Sequence, residues 1–364
     1  MDEVPKDWAN QVDWLGREGS LAEACRRFAA EEALNYAPLY AHFSRALAED
    51  AALLAIMGRM QPGQPQPNLL LYAANRLLND RLAHPLHRHY PTSGGSYTDP
   101  NEVWELFRVF CIENSDTLVD EAAGRTVQTN EVQRCVALYP AFCLVSQLFD
   151  NVSLHLLELG TSAGLNLFVD RHAYRYAGHA EVFGSGQSGI ELSARANPNG
   201  LPPPPAALLA TRLTVAARTG LDLQPIDLTD EEAFRWLRAC IWPDLPERLQ
   251  RLERVAEMVR ADLPELVSGD AVEDLEAMVG RAVPGHLPVI FHTYMANQLP
   301  RARREELLTR IQKMGTMRDL AHVYNNIGTA RLCLQAWQGG NKIFDAPIVH
   351  NDGHANTVGW LEDA

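Results

Sequence analysis

The stretch with the greatest capacity for chemistry is Leu154-His-Leu-Leu-Glu158-Leu-Gly160-Thr161-Ser162-Ala-Gly164-Leu-Asn166. An apolar run passes into glycines and then into residues with helical spacing. Glycines let a backbone approach a ligand closely, and a helix starting there presents free N–H groups and a partial positive charge. Glu158, Thr161, Ser162 and Asn166 supply the polar side chains. Three uses of such a loop compete. It could cradle a nucleotide-type cofactor, expose Ser162 as a nucleophile, or serve only to pack a strand tightly against a helix.

Other residues able to act with this loop stand at the ends of apolar runs that read as strands. Asp227 lies at the end of 221–228, Asp270 just beyond 266–268, and His292 at the end of 289–293, with Tyr294 and Asn297 next in line. A carboxylate accepts hydrogen bonds from hydroxyl or amino donors. Imidazole titrates near neutrality, which makes His292 the candidate general base. Gln128, Asn130, Glu131 and Arg134 form a polar cluster at the start of the helical stretch 130–149 that leads into the glycine-loop strand, so all four could lie over a cleft. Equally, Asn130 could merely cap that helix, with Arg134 paired to Glu131 or Asp170. His84, His87 and His89 form a histidine cluster, but Pro85 breaks its register and no fourth ligand stands nearby. A polar loop is expected there, and no metal.

These side chains need a sheet to position them. Residues 1–125 read as a helical cap domain. Ser20 and Glu23 form a capping box, the proline run 62–67 ends one helical stretch, and helices follow at 68–82 and 102–112. Asp99 and Pro100 supply the start of the last of these. Residues 126–364 read as one α/β domain, with an insertion at about 180–205. Its expected strands are Leu154–Leu159, 221–228, 266–268, 289–293, 320–325, 331–337 and 342–349. Its expected helices are 163–172, Pro246–Ala261 and 301–313. Gly339-Gly340 suits a two-residue hairpin turn. The expected fold is an open, mostly parallel, Rossmann-like sheet ending in an antiparallel hairpin.

The spacing of Glu158, Gly160 and Gly164 resembles the first motif of Rossmann-like methyltransferases. That resemblance implies S-adenosylmethionine as cofactor. Glu158 would lie near its amino-acid end, Gly160 and Gly164 would frame the loop, Asp227 would meet the ribose and Asp270 would lie near adenine. Gly160-Thr-Ser162-Ala-Gly164 is also a literal G-x-S-x-G, similar to the nucleophile elbow of serine esterases, and His350 and His354 follow in hydrolase order. That fold places several strands ahead of its elbow, whereas the residues before Leu154 read as helical. A wider likeness rests on the strings Thr126-Val-Gln-Thr-Asn-Glu-Val-Gln-Arg134, Glu158–Asn166 with Asp170-Arg171, and Ala239-Cys-Ile-Trp242-Pro-Asp244 with Arg248. Together they resemble a bacterial family known only as a domain of unknown function and described at most as methyltransferase-like.

The expected function is therefore S-adenosylmethionine-dependent methyl transfer to a small molecule or protein group. The alternative is a scaffold of the same fold that binds a nucleotide-like ligand or a partner without turning it over. A serine esterase using Ser162 stands third. The net charge of −14 argues against nucleic acid as a partner. No apolar run is long enough to span a bilayer, and the first residues lack the basic head and apolar core of a signal peptide, so a cytoplasmic location is expected. Six scattered cysteines read as reduced, buried side chains. Oligomeric state is not encoded in any pattern found.

Overall fold

The computed structural model describes residues 20–128, 130–329 and 331–361. The chain opens on the expected capping box. Ser20 Oγ receives the Glu23 N–H, and the Glu23 carboxylate receives the Ser20 N–H. Helix α1 (Leu21–Arg27) runs into a π-helical turn, Phe28–Ala33. Then follow α2 (Pro38–Leu47), α3 (Ala51–Met57), α4 (Gln66–Asn79), α5 (Pro100–Glu113) and α6 (Ser115–Ala122). Asp50 caps α3, and Asp99 caps α5 ahead of Pro100. Among the described residues no strand precedes Leu154, so the strands a serine hydrolase requires ahead of its elbow are missing there.

A single 3-10 turn, Val132–Arg134, leads into α7 (Cys135–Leu148), which continues through Pro140. Strand β1 (Leu154–Leu159) is buried throughout. Beyond the glycine loop the expected α-helix at 163–172 gives way to a 3-10 segment, Leu165–Arg171, with non-helical angles at Phe168. The reason lies in Arg218, whose Nε donates to the Leu167 carbonyl that a continuing α-helix would use. Strand β2 (Ala173–Tyr176) precedes the insertion expected at about 180–205, which itself holds the two-residue β3 (Phe183–Gly184) and β4 (Glu191–Ala196) and is followed by the short α8 (Ala206–Leu209).

Strand β5 spans Val215–Asp222, earlier than the expected 221–228. Pro225 cannot donate to a ladder and the chain leaves the sheet before it. Next come α9 (Glu231–Ala239), α10 (Pro246–Ala261), β6 (Glu265–Ser268), α11 (Leu275–Val279), β7 (Leu287–His292) and α12 (Arg301–Gly315). The chain ends with β8 (Leu320–Tyr324), β9 (Leu332–Gln338), β10 (Asn341–Asn351) and β11 (Thr357–Trp360). Gly339 and Gly340 both have positive φ, 55° and 80°, as a two-residue hairpin turn between β9 and β10 requires.

The strand order is β3-β2-β4-β11-β10-β9-β8-β7-β1-β5-β6. Strands β6, β5, β1, β7 and β8 are parallel neighbours, and β8 through β11 alternate in direction. The α/β, mostly parallel expectation is met, and β2, β3, β4 and the terminal β11 extend the sheet from the seven expected strands to eleven.

The described residues fall into two compact units. The α/β unit holds 130–227 and 254–361, and the helical unit holds 20–128 and 228–253. The sequence reading places all of 126–364 in one domain, but Trp236, Cys240 and Trp242 belong to the core of the helical unit, beside Phe28, Tyr40, Tyr72 and Phe107. Trp242 donates its indole N–H to Tyr72 Oη at 3.0 Å and meets the Phe28 ring edge-on. Asp244 receives the Tyr97 hydroxyl at 2.6 Å and the Leu39 N–H. Tryptophans that distant in sequence are invisible to a local reading of domain boundaries.

Candidate functional site

Within the α/β unit, the carboxyl end of β1 carries a dense set of buried polar groups. Glu158 is 2% exposed and is the penultimate residue of the strand. Its oxygens receive the Thr161 hydroxyl at 2.8 Å and the Asn166 amide at 3.4 Å. Burial pushes the Glu158 carboxyl up to about 8, against those two donors and Arg134, with the Asp222 charge adding to the rise. Glu158, Thr161 and Asn166 therefore organise the loop from within. Asn130 ties the loop to the helix before it, donating Nδ2 to the Thr161 carbonyl at 2.8 Å. That bond fixes the amide's orientation and leaves Oδ1 as a buried acceptor with no partner.

The two glycines have different neighbours. Gly160 adopts φ 70°, and a Cβ there would lie 2.5 Å from Met295 Cγ. The open face expected at Gly160 is thus covered by a methionine. Gly164, at φ 72°, packs against Pro264 and Leu266, with a virtual Cβ at 3.0 and 3.2 Å. Ser162 lies between them at φ 52°, uncommon for a residue with a side chain. Its N–H goes to Asp222 Oδ2 at 2.8 Å and its carbonyl receives the Ile226 N–H. Its Oγ is buried with no hydrogen-bond partner, so no histidine activates it as an esterase nucleophile requires.

Asp222 is the acid that ends β5, a residue the sequence reading passed over. The pattern available was the run from Val215 and the exclusion of Pro225 from a strand interior. Its carboxylate also receives the Gln224 N–H at 3.0 Å. Asp227 is exposed, five residues past the strand. Asp270 does lie at the carboxyl end of β6, but a single oxygen receives the Val272 and Glu273 N–H groups and the Arg303 guanidinium. Burial would raise its carboxyl, yet those partners hold it below the usual range.

His292 is placed apart from the loop. Glu158 pairs with Phe291 in the β1–β7 register, so His292 faces the other side of the sheet. There it is 0% exposed, neither ring nitrogen has a partner, and burial drives it down to about 3. It lies 5.3 Å from the equally buried His322, which stacks on Tyr324. A ring so enclosed is a poor general base, and the expectation for His292 is corrected on that ground.

Beyond β7 the polar character resumes. Tyr294 adopts φ 63°, its N–H is received by Asn325 Oδ1 at 2.9 Å, and Arg134 lies over its ring at 4.3 Å. Asn297 follows with a buried Oδ1 lacking a partner. Asn326, after β8, is likewise at positive φ with an unpartnered Nδ2. Left-handed residues other than glycine thus recur at the carboxyl ends of β1, β7 and β8, and again at Ala355 after β10. Such outliers cluster where structure serves function. The loop after β10 reaches the same region. Gln133 Nε2 donates to the carbonyls of Ser193 and Ala355, and Glu131 Oε2 lies 3.9 Å from His354 Nδ1. Asp352 and Asn325 were not singled out from sequence, whereas Glu131 stood in the polar cluster at the start of the helical stretch and His354 was weighed only as a late histidine in hydrolase order.

Among the described residues no cluster of His, Cys, Asp and Glu could hold a metal ion, and no helix is long and apolar enough to cross a membrane. No curated protein and no solved structure matches the chain. Residues 22–360 match the family described as "Uncharacterized protein conserved in bacteria (DUF2332)", and on that near-complete match the chain belongs to it.

Proposed function

We propose that this protein is an S-adenosylmethionine-dependent methyltransferase acting on a small molecule or a protein group. The observation that carries this reading is the strand order around β1. Strands β5 and β6 lie on one side of it and β7 and β8 on the other, with the Glu158–Gly164 loop at the point where the order reverses. Ligands of open α/β sheets bind outside the carboxyl ends of the strands at such a switch point.

The residues there suit the group. A carboxylate offers about four acceptor sites, so Asp222, rather than Asp227, would meet the ribose hydroxyls. The unpartnered Asn130 Oδ1 and Ser162 Oγ would meet the polar end. A ligand against Gly160 would require Met295, whose Cβ and Cγ cover that glycine, to shift together with its 3-10 turn. Bound, the cofactor supplies an electrophilic methyl group. The chain supplies alignment of the acceptor and exclusion of water.

The second reading, a scaffold that binds without turnover, draws on Met295 lying against Gly160 and on a Glu158 whose oxygens are already engaged within the loop. Calorimetry with S-adenosylhomocysteine, NAD and ATP separates these ideas. S-adenosylhomocysteine should bind best. Asp222→Ala should weaken it about 10–100-fold, from roughly 1.5–3 kcal/mol for hydrogen bonds to a charged group, and Asp227→Ala should leave it unchanged. Absence of binding, or equal effects of the two substitutions, sinks the adenosine site.

A further inference from the structure

With His292 enclosed on the far side of the sheet, the site needs another proton acceptor. The loop after β10 contains one. His354 is partly exposed, its side chain 23% accessible, while the Glu131 side chain facing its Nδ1 at 3.9 Å is only 3% accessible. Glu131 is anchored by receiving the Gln133 N–H at 3.0 Å. A carboxylate that close favours the charged form of the imidazole.

The loop around His354 is cross-linked by hydrogen bonds. Asp352 receives the Thr357 N–H and hydroxyl and the Asn356 amide. Ala355 donates to the Asp352 carbonyl and sits at φ 57°, with Gln133 clamping its carbonyl. Gly353 lies against the Tyr294 hydroxyl, and Tyr294 stacks under Arg134. The five residues 130–134 therefore touch the glycine loop through Asn130, the β7 loop through Arg134 and the β10 loop through Glu131 and Gln133.

We infer that His354, oriented by the buried carboxylate of Glu131, is the proton-accepting group of this site. The inference rests on the methyl-transfer reading for the identity of the reaction. As the acceptor's lone pair forms the new bond to carbon, the electron pair of the broken carbon–sulfur bond stays on sulfur. The acceptor's N–H or O–H proton passes to the imidazole. The resulting imidazolium is matched by Glu131, so no uncompensated charge is created in the cleft. Among the described residues, charged or titratable groups facing this loop include Asp352 on the loop itself, Arg134 and Tyr294 opposite, and His350 with Arg331 at its start.

Two measurements on the full chain test this. In an NMR titration, with His354 assigned by its loss in His354→Gln, the His354 midpoint should fall by about one pH unit or more in Glu131→Gln, as loss of a close opposite charge requires. An unchanged midpoint, or no titration of His354, overturns the proposal. The second measurement follows radiolabelled methyl from S-adenosylmethionine into the small-molecule and protein fractions of a bacterial extract. His354→Gln should lower incorporation by about 100-fold while S-adenosylhomocysteine affinity stays within about twofold. Undiminished incorporation, or an equal loss of affinity, also overturns it. No incorporation by the unaltered protein counts against the methyltransferase reading, and the titration then decides the fate of His354.

Discussion

Burial keeps the proton on Glu158 up to about pH 8, although Thr161 and Asn166 both donate to its oxygens. In the unfolded chain the same carboxyl loses its proton near the ordinary carboxylate value. Its contribution to stability is therefore complete at low pH and declines as pH rises to about 8. Glu158→Gln cannot titrate. In urea denaturation, wild type minus variant should be larger at pH 5 than at pH 8, and an equal difference at both would refute the buried-acid assignment. The His292 and His322 pair works the opposite way, because burial lowers both. The unfolded state takes up their protons first, so stability falls as pH drops below the ordinary imidazole value toward about 3 for His292. His292→Phe keeps the aromatic packing without the charge, and should narrow the gap in melting temperature between pH 7 and pH 5. If the glycine at 160 served only to let a ligand approach, a valine there would block binding at little cost to stability. The structure changes that expectation: φ 70° and Met295 at 2.5 Å make Gly160→Val destabilising by about 1–3 kcal/mol. Met295→Ala in the same chain should recover part of the loss.

Elements carried by local chemistry were legible. The Ser20 box, the Asp99-Pro100 start, the Gly339-Gly340 turn and strand β1 all follow from residues within a few positions of one another. Those set by distant partners were not. Arg218 ends the helix after the glycine loop by taking the Leu167 carbonyl, and it pairs with Asp170 at 2.7 Å through the same guanidinium. The shift of β5 put Asp222, not Asp227, at the end of that strand, and the apolar run alone did not reveal where the strand stops. Helix α12 offers a test in which propensity and packing oppose each other. Gly315→Ala gains up to about 1 kcal/mol of helix propensity, but the new Cβ would lie 2.3 Å from the Trp337 ring. Overpacking of that kind costs about 1–3 kcal/mol, so the net effect should be destabilising. A rise in melting temperature would show that Trp337 yields easily.

At the scale of the whole molecule, the helical unit is discontinuous in sequence. Residues 20–128 lack Trp236, Cys240 and Trp242, which belong to the same core as Phe28, Tyr40 and Tyr72. A fragment ending at residue 128 should therefore fail to give a cooperative melt by circular dichroism, although the sequence alone suggests a boundary at about 125. A sharp transition from that fragment would mean that 228–253 is dispensable to the helical core. The same interleaving sets the timing of synthesis. When residue 129 has been translated, Leu39 still lacks Asp244, the acceptor of its N–H, 205 positions further along. At about 5–20 residues per second, the roughly 120 residues up to 253 take on the order of 6–25 s. For that interval the nascent helices must wait on the ribosome with apolar faces unpaired, while the strand that carries the glycine loop emerges between them and their missing tryptophans.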